Sequence, residues 1–287
     1  MIPEIPNHLE VNHELIAGPE IVYNNGHCET VYNSNIDRLA SIWVYSYSRY
    51  ENPNPRYSDD NGRSWQRFSS MDTPTYKPCG AIGTLFVFED GQRDTYWEEV
   101  EVIDPETGES WYEEIEVEKY LTSGFYVHNG EGEEFDSGWI ECLFKDESGN
   151  KVTIPSDQKY TCVHGTPEDK EKLLLISEDL NTVAYSYNGT VWTVANSNLK
   201  EILTSSNHTR FDFAYGKFIT LSNSAVIYSE DGLTWSRAEV TLGKVPADEE
   251  NPETDEVFEN LFFGNGLLIA LTNAGNRLIS TDCINWI

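Results

Sequence analysis

Short apolar runs, each closed by a polar turn, recur through the C-terminal half of the chain. Residues 218–221 read Phe-Ile-Thr-Leu after Tyr215, Gly216 and Lys217, and residues 267–271 read Leu-Leu-Ile-Ala-Leu after Asn265 and Gly266. Residues 172–176, Lys-Leu-Leu-Leu-Ile, followed by residues 182–186, Thr-Val-Ala-Tyr-Ser, form a third unit of the same kind. Runs this short and continuous suit strands buried on both faces. No stretch keeps a helical period long enough for a major helix, so the pattern predicts an all-β chain.

The second strand of each unit leads into one recurrent turn. Its fullest copy is Tyr57-Ser58-Asp59-Asp60-Asn61-Gly62-Arg63-Ser64-Trp65, in which Ser58, Asp60, Gly62 and Trp65 carry the pattern. The others place Ser186, Asn188, Gly189 and Trp192; Ser229, Asp231, Gly232 and Trp235; and Ser280, Asp282 and Trp286, with Cys283 where glycine stood. The acid or amide side chain can accept backbone N–H groups about two residues on, closing an Asx turn. Glycine supplies a positive φ, and the tryptophan begins the next strand with a large apolar face. Each copy therefore predicts a tight hairpin, and Cys283 predicts a distorted or differently built last turn.

The spacing resembles the Asp-box, or bacterial neuraminidase repeat, Ser-x-Asp-x-Gly-x-Thr/Ser-Trp. In that family the box joins the two outer strands of a β-propeller blade, in sialidases, other glycan-active proteins and non-catalytic propellers that include phage tail-associated ones. The resemblance implies a single β-propeller over residues 1–287. Trp192, Trp235 and Trp286 stand one blade apart, whereas Trp65 and Trp192 are too far apart for one unit. Residues 125–130 and 135–139 look like a decayed copy ending at Trp139, giving about five blades, with six as the alternative. The chain stops one residue after Trp286, and residues 9–24 are expected to supply the missing strand and close the ring.

Residues 89–120 depart from the repeat. Trp97 to Val102 and Trp111 to Val117 are near copies flanking Asp104-Pro105-Glu106-Thr107-Gly108. Their period-two alternation around a turn signal predicts a β-hairpin, an acidic arm inserted in the second blade. Val100, Val102, Ile115 and Val117 fall on one face and Glu99, Glu101, Glu114 and Glu116 on the other. An isolated two-stranded ribbon is marginal in water, so the valine face needs a cover. That cover is either this protein's own body or another subunit, which makes those four residues candidate partner contacts.

Charge and cysteines narrow the partners. The 287 residues hold 19 Lys and Arg against 49 Asp and Glu, a formal net charge of −30. That balance argues against nucleic acid as a partner, because phosphate contacts need cations. No window is apolar enough to enter a membrane. The amino terminus lacks the basic start and apolar run of a signal peptide, and the 5 cysteines are scattered and odd in number, a reduced-compartment pattern.

No catalytic constellation emerges. The sialidase arginine clamp and its early Arg-containing motif are missing: Arg63, Arg67 and Arg237 lie in or beside the box turns, and nothing marks Arg38, Arg49 or Arg210. Cys162-Val163-His164, His27-Cys28 and the calcium-like Asp59-Asp60-Asn61-Gly62 lack the spacing of metal sites, so no cofactor or metal is expected. The expectation is a non-catalytic adaptor or decoration protein of a larger assembly. A bacteriophage virion, tail or head–tail, assembled in the host cytoplasm, fits the repeat's style. The alternatives are a carbohydrate-binding or glycan-cleaving propeller for host-surface recognition, and a cytoplasmic scaffold.

Overall fold

A computed structural model describes residues 27–44, 55–68, 76–103, 110–128, 139–203, 211–246, 252–264 and 266–287. The proposed closing strand at residues 9–24 lies outside them. The fold is all-β, with five blade sheets in the arrangement of a β-propeller. The first sheet runs β1 (His27–Asn33), β2 (Arg38–Val44), β3 (Arg56–Ser58) and β4 (Gln66–Arg67) in chain order. The second runs β5 (Tyr76–Ile82), β6 (Leu85–Ile103), β7 (Ser110–His128) and β8 (Ile140–Glu141).

The third sheet holds β9 (Leu143–Asp146), β10 (Tyr160–Gly165), β11 (Lys172–Ser177), β12 (Val183–Ser186) and β13 (Val191–Ala195). After the short helix α1 (Leu199–Ile202) the fourth comprises β14 (Asp212–Ala214), β15 (Lys217–Leu221), β16 (Ala225–Ser229) and β17 (Ser236–Glu239). A small pair, β18 (Lys244–Val245) and β19 (Thr254–Asp255), precedes the fifth sheet of β20 (Phe258–Gly264), β21 (Leu267–Thr272) and β22 (Arg277–Ser280). Ile287 exchanges both backbone hydrogen bonds with Ile279 of β22.

The chain divides into two compact units, Met1–Asp90 with Phe125–Glu141, and Gly91–Gly124 with Cys142–Ile287. The core of the first is aromatic: Phe68 packs edge-on against Phe88 at 5.2 Å and Tyr57 at 5.1 Å, and Trp139 against Phe88 at 4.9 Å. Trp139 directly precedes β8 as Trp65 precedes β4, which places it at the box position of the second blade; residues 129–138 before it lie outside the described residues.

In the second unit every residue of β11 is buried, in line with its unbroken apolar run. Leu174 and Ile176 join Val163, Phe218, Ile227 and Trp235 in one core, and Ile219, Val226, Phe258 and Leu268 build a second. Each such aliphatic side chain contributes about 1.5–3 kcal/mol by leaving water. Gly165 of β10 sits so close to Phe213 that an added Cβ would lie 2.4 Å from the ring, so the third and fourth sheets meet through a residue without a side chain.

Candidate functional site

The four turns are built from one set of bonds. In the first, the Ser58 hydroxyl donates to Asp60 Oδ1 at 2.8 Å and accepts the Gly62 N–H at 2.8 Å. Asp60 also accepts the backbone N–H and the hydroxyl of Ser64, and the Trp65 indole donates to the Gly62 carbonyl at 3.0 Å. Ser229, Asp231, Gly232 and Trp235 repeat the arrangement, with the indole bond at 3.1 Å. Ser186, Asn188, Gly189 and Trp192 do so with a neutral amide in place of the acid.

The last turn is neither distorted nor differently built, contrary to the expectation from Cys283. Ser280, Asp282 and Trp286 make the same contacts, and the Trp286 indole donates to the Cys283 carbonyl at 3.1 Å. Cys283 itself takes the left-handed conformation, φ 70°, beside 82°, 77° and 79° at Gly62, Gly189 and Gly232. Its side chain is fully buried, and that burial, with Asp282 nearby, pushes the thiol up to about 11. Burial of the cysteine side chain offsets the cost of the positive φ.

These donors tune the acids. Hydrogen bonds from Ser64 and Ser58 hold the Asp60 carboxyl down at about 2, and the Asn285 and Ile284 donors hold Asp282 well below the usual carboxylate range. Burial alone would raise Asp231, but the Thr234, Leu233 and Ser229 donors together outweigh it and leave the carboxyl lowered.

One of these turns also walls a cavity of about 690 Å³ in the second unit. Ser229, Glu230, Asp231 and Thr234 face Pro167, Glu168, Lys170, Lys172 and Tyr187 across it. Lys172, 4% exposed, begins β11 opposite Gly165 and donates to the Asp231 carbonyl at 2.6 Å. Its ammonium stands 4.3 Å from the centre of the Tyr185 ring and 5.5 Å from that of Tyr187, while Lys170 lies 3.6 Å over Tyr187. Burial lowers the Lys172 pKa, with Lys170 adding to the effect and Asp231 opposing it. Glu168 and Asp169, in the 3-10 turn Pro167–Asp169 that leads to the cavity, both hold positive φ, at 52° and 58°.

The sequence reading did not single out Lys170, Lys172 or Tyr187. A lysine opening an otherwise apolar run is the signal the sequence offers for this site.

The arm residues are only partly placed. β6 and β7, 19 residues each, are hydrogen-bonded neighbours far longer than the other strands. Val100 is half-buried, Glu99 and Glu114 are exposed, and the side chains of Val102, Ile115 and Val117 lie outside the described residues. Trp111 and Tyr112 are 44% and 68% exposed. At the base, Thr122 is buried, its N–H donating to the Ser156 carbonyl at 2.7 Å and its hydroxyl to the Gln158 carbonyl at 3.0 Å.

Two of the arginines weighed for a carboxylate clamp are already engaged. Arg38 forks onto Asp59 at 2.5 and 3.0 Å, and Arg237 reaches Glu239 at 2.5 Å and Ser224 at 3.1 Å. Arg49 and Arg210 lie outside the described residues. Cys162 is half-buried and His164 stands 3.8 Å from Glu171. Among the described residues no group of three or more His, Cys, Asp or Glu is placed to hold a metal ion, and no helix is long and apolar enough to cross a membrane.

No protein-family model and no curated protein matches the chain. Similar solved structures include YCF48 bound to a D1 peptide, 13% identical, with 90% of this chain and 65% of that one covered and a TM-score of 0.44. Another is a GH74 enzyme of Niastella koreensis, 11% identical, with 91% of this chain and 46% of that one covered and a TM-score of 0.31. This chain thus spans less than two thirds of the length of either.

Proposed function

We propose that this protein is a non-catalytic adaptor or decoration component of a larger assembly, acting through protein–protein contacts made by the inserted arm. The observation that carries the reading is the β6–β7 pair, whose strands run far beyond those of the other blades and display Trp111 and Tyr112. Large amphipathic aromatics on an extended ribbon are the residues that centre protein interfaces. The alternating valine and glutamate faces supply the rest of the contact: an apolar face to be covered and a charged face that stays wet.

The four Ser-x-Asp/Asn turns support an Asp-box assignment in which the box is structural, since their polar side chains are spent on their own backbone. Phage tail-associated propellers carry such boxes, and the assembly we propose is a bacteriophage virion, built in the host cytoplasm. A glycan-binding reading needs a free aromatic face for a sugar ring. At the cavity, Tyr187 already has one face covered by Lys170, which favours the adaptor reading.

Native purification from the source, with mass spectrometry of everything that co-elutes, tests this. Recovery at fixed stoichiometry in a large particle is the expected result. Elution as a lone species, with binding or cleavage in a glycan screen, would replace the adaptor reading with the carbohydrate one.

A further inference from the structure

We infer that the cavity beside the Ser229–Asp231–Gly232 turn binds a carboxylate, held by the Lys172 ammonium and flanked by Lys170. A buried ammonium needs an acceptor for each of its three donors. Among the described residues Lys172 has one, the Asp231 carbonyl at 2.6 Å. The ring faces of Tyr185 and Tyr187 compensate part of the charge but give no oxygen for the other two N–H groups. The Asp231 carboxylate attracts the ammonium, but its Oδ1 is engaged in its own turn, accepting from Ser229, Leu233 and Thr234. The cavity that Lys172 lines has room for a small molecule or a chain end.

The lining also selects the anion. Lys170 and Lys172 set two cations beside one another in the lining of a cavity on a chain of net charge −30. Glu168, Glu230 and Asp231 line the same cavity, with Glu230 only partly offset by Lys217 at 3.7 Å. Three carboxylates oppose a compact dianion such as phosphate more than a single carboxylate. Glu168, in the lining, holds a left-handed conformation at φ 52°. The arm takes no part in this site, so its failure would leave the adaptor reading standing.

Amide chemical-shift titration of the full chain at low salt tests the site with four probes: acetate, N-acetylglycine, N-acetylglycinamide and inorganic phosphate. Saturable shifts at Lys172, Tyr187 and Asp231 are expected with the two carboxylates and absent with the amide. N-acetylglycine binding tighter than acetate assigns a peptide terminus as the natural ligand, and equal binding assigns a free organic acid. Lys172→Met should weaken N-acetylglycine by about tenfold or more, the loss expected for hydrogen bonds to a charged group. Should that variant fail to fold, Lys170→Ala, at an exposed position, should weaken it several-fold with an unchanged melting temperature. Binding of the amide as tight as the acid, preference for phosphate, or no saturable shift with either carboxylate would overturn the proposal.

Discussion

At the residue scale, glycine is required for different reasons at different turns. Gly232 holds φ 79°, and a Cβ there would lie 2.4 Å from the Leu174 side chain, whereas Gly275, at φ 80°, faces open space. Gly232→Ala should therefore cost about 2–5 kcal/mol, conformational strain plus overpacking, against about 1–2 for Gly275→Ala, compared by urea denaturation. The turn acids make a second prediction. Asp60 is lowered from 3.8 to about 2, and Asp282, Asp231 and Asp179 are lowered too. A depressed folded-state pKa gives stability that is fully present above the unfolded value and lost as pH falls through the folded one. The melting temperature should hold from about pH 7 to 5 and fall between about pH 4 and 2. Asn188 makes the same bonds as the acids, so Asp60→Asn should keep the turn at pH 7 and flatten that acid limb. The serine, acid and tryptophan positions were legible because their bonds are local. That cysteine can stand in for glycine was not, because the compensating burial comes from distant chain around Ala214, whose carbonyl lies 3.6 Å from the thiol sulfur.

At the element scale, the strands of the third to fifth blades were legible as apolar runs, but one addition was not. β9 joins the third sheet parallel to β13, a pairing that links residues distant in sequence and leaves no alternating signature in a four-residue strand. It carries Phe144, which stacks on Trp192 with ring centres 6.0 Å apart and planes at 22°. Phe144→Ala should cost about 3–5 kcal/mol in denaturant unfolding, as for other buried aromatic truncations. A loss below about 1 kcal/mol would mean that β9 is only laid along the blade. The cavity escaped the sequence reading for a similar reason. Its wall joins the β16–β17 turn to the start of β11, and no local pattern announces that meeting.

At the scale of the whole molecule, five sheets built from similar strands and turns make an all-β chain in which the second blade alone carries a long arm among the described strands. The excess of 49 acidic over 19 basic side chains makes self-repulsion a general cost of folding. Raising sodium chloride from about 20 to 200 mM should therefore raise the melting temperature, as screening shortens the reach of these charges. The measurement that tests the central claim most directly is sedimentation of the native assembly reconstituted with the chain, wild type against a variant in which Val100, Val102, Ile115 and Val117 are all serine. A monomer of unchanged melting temperature that no longer enters the particle is the result this account predicts. Full incorporation of that variant, at wild-type stoichiometry, would contradict it.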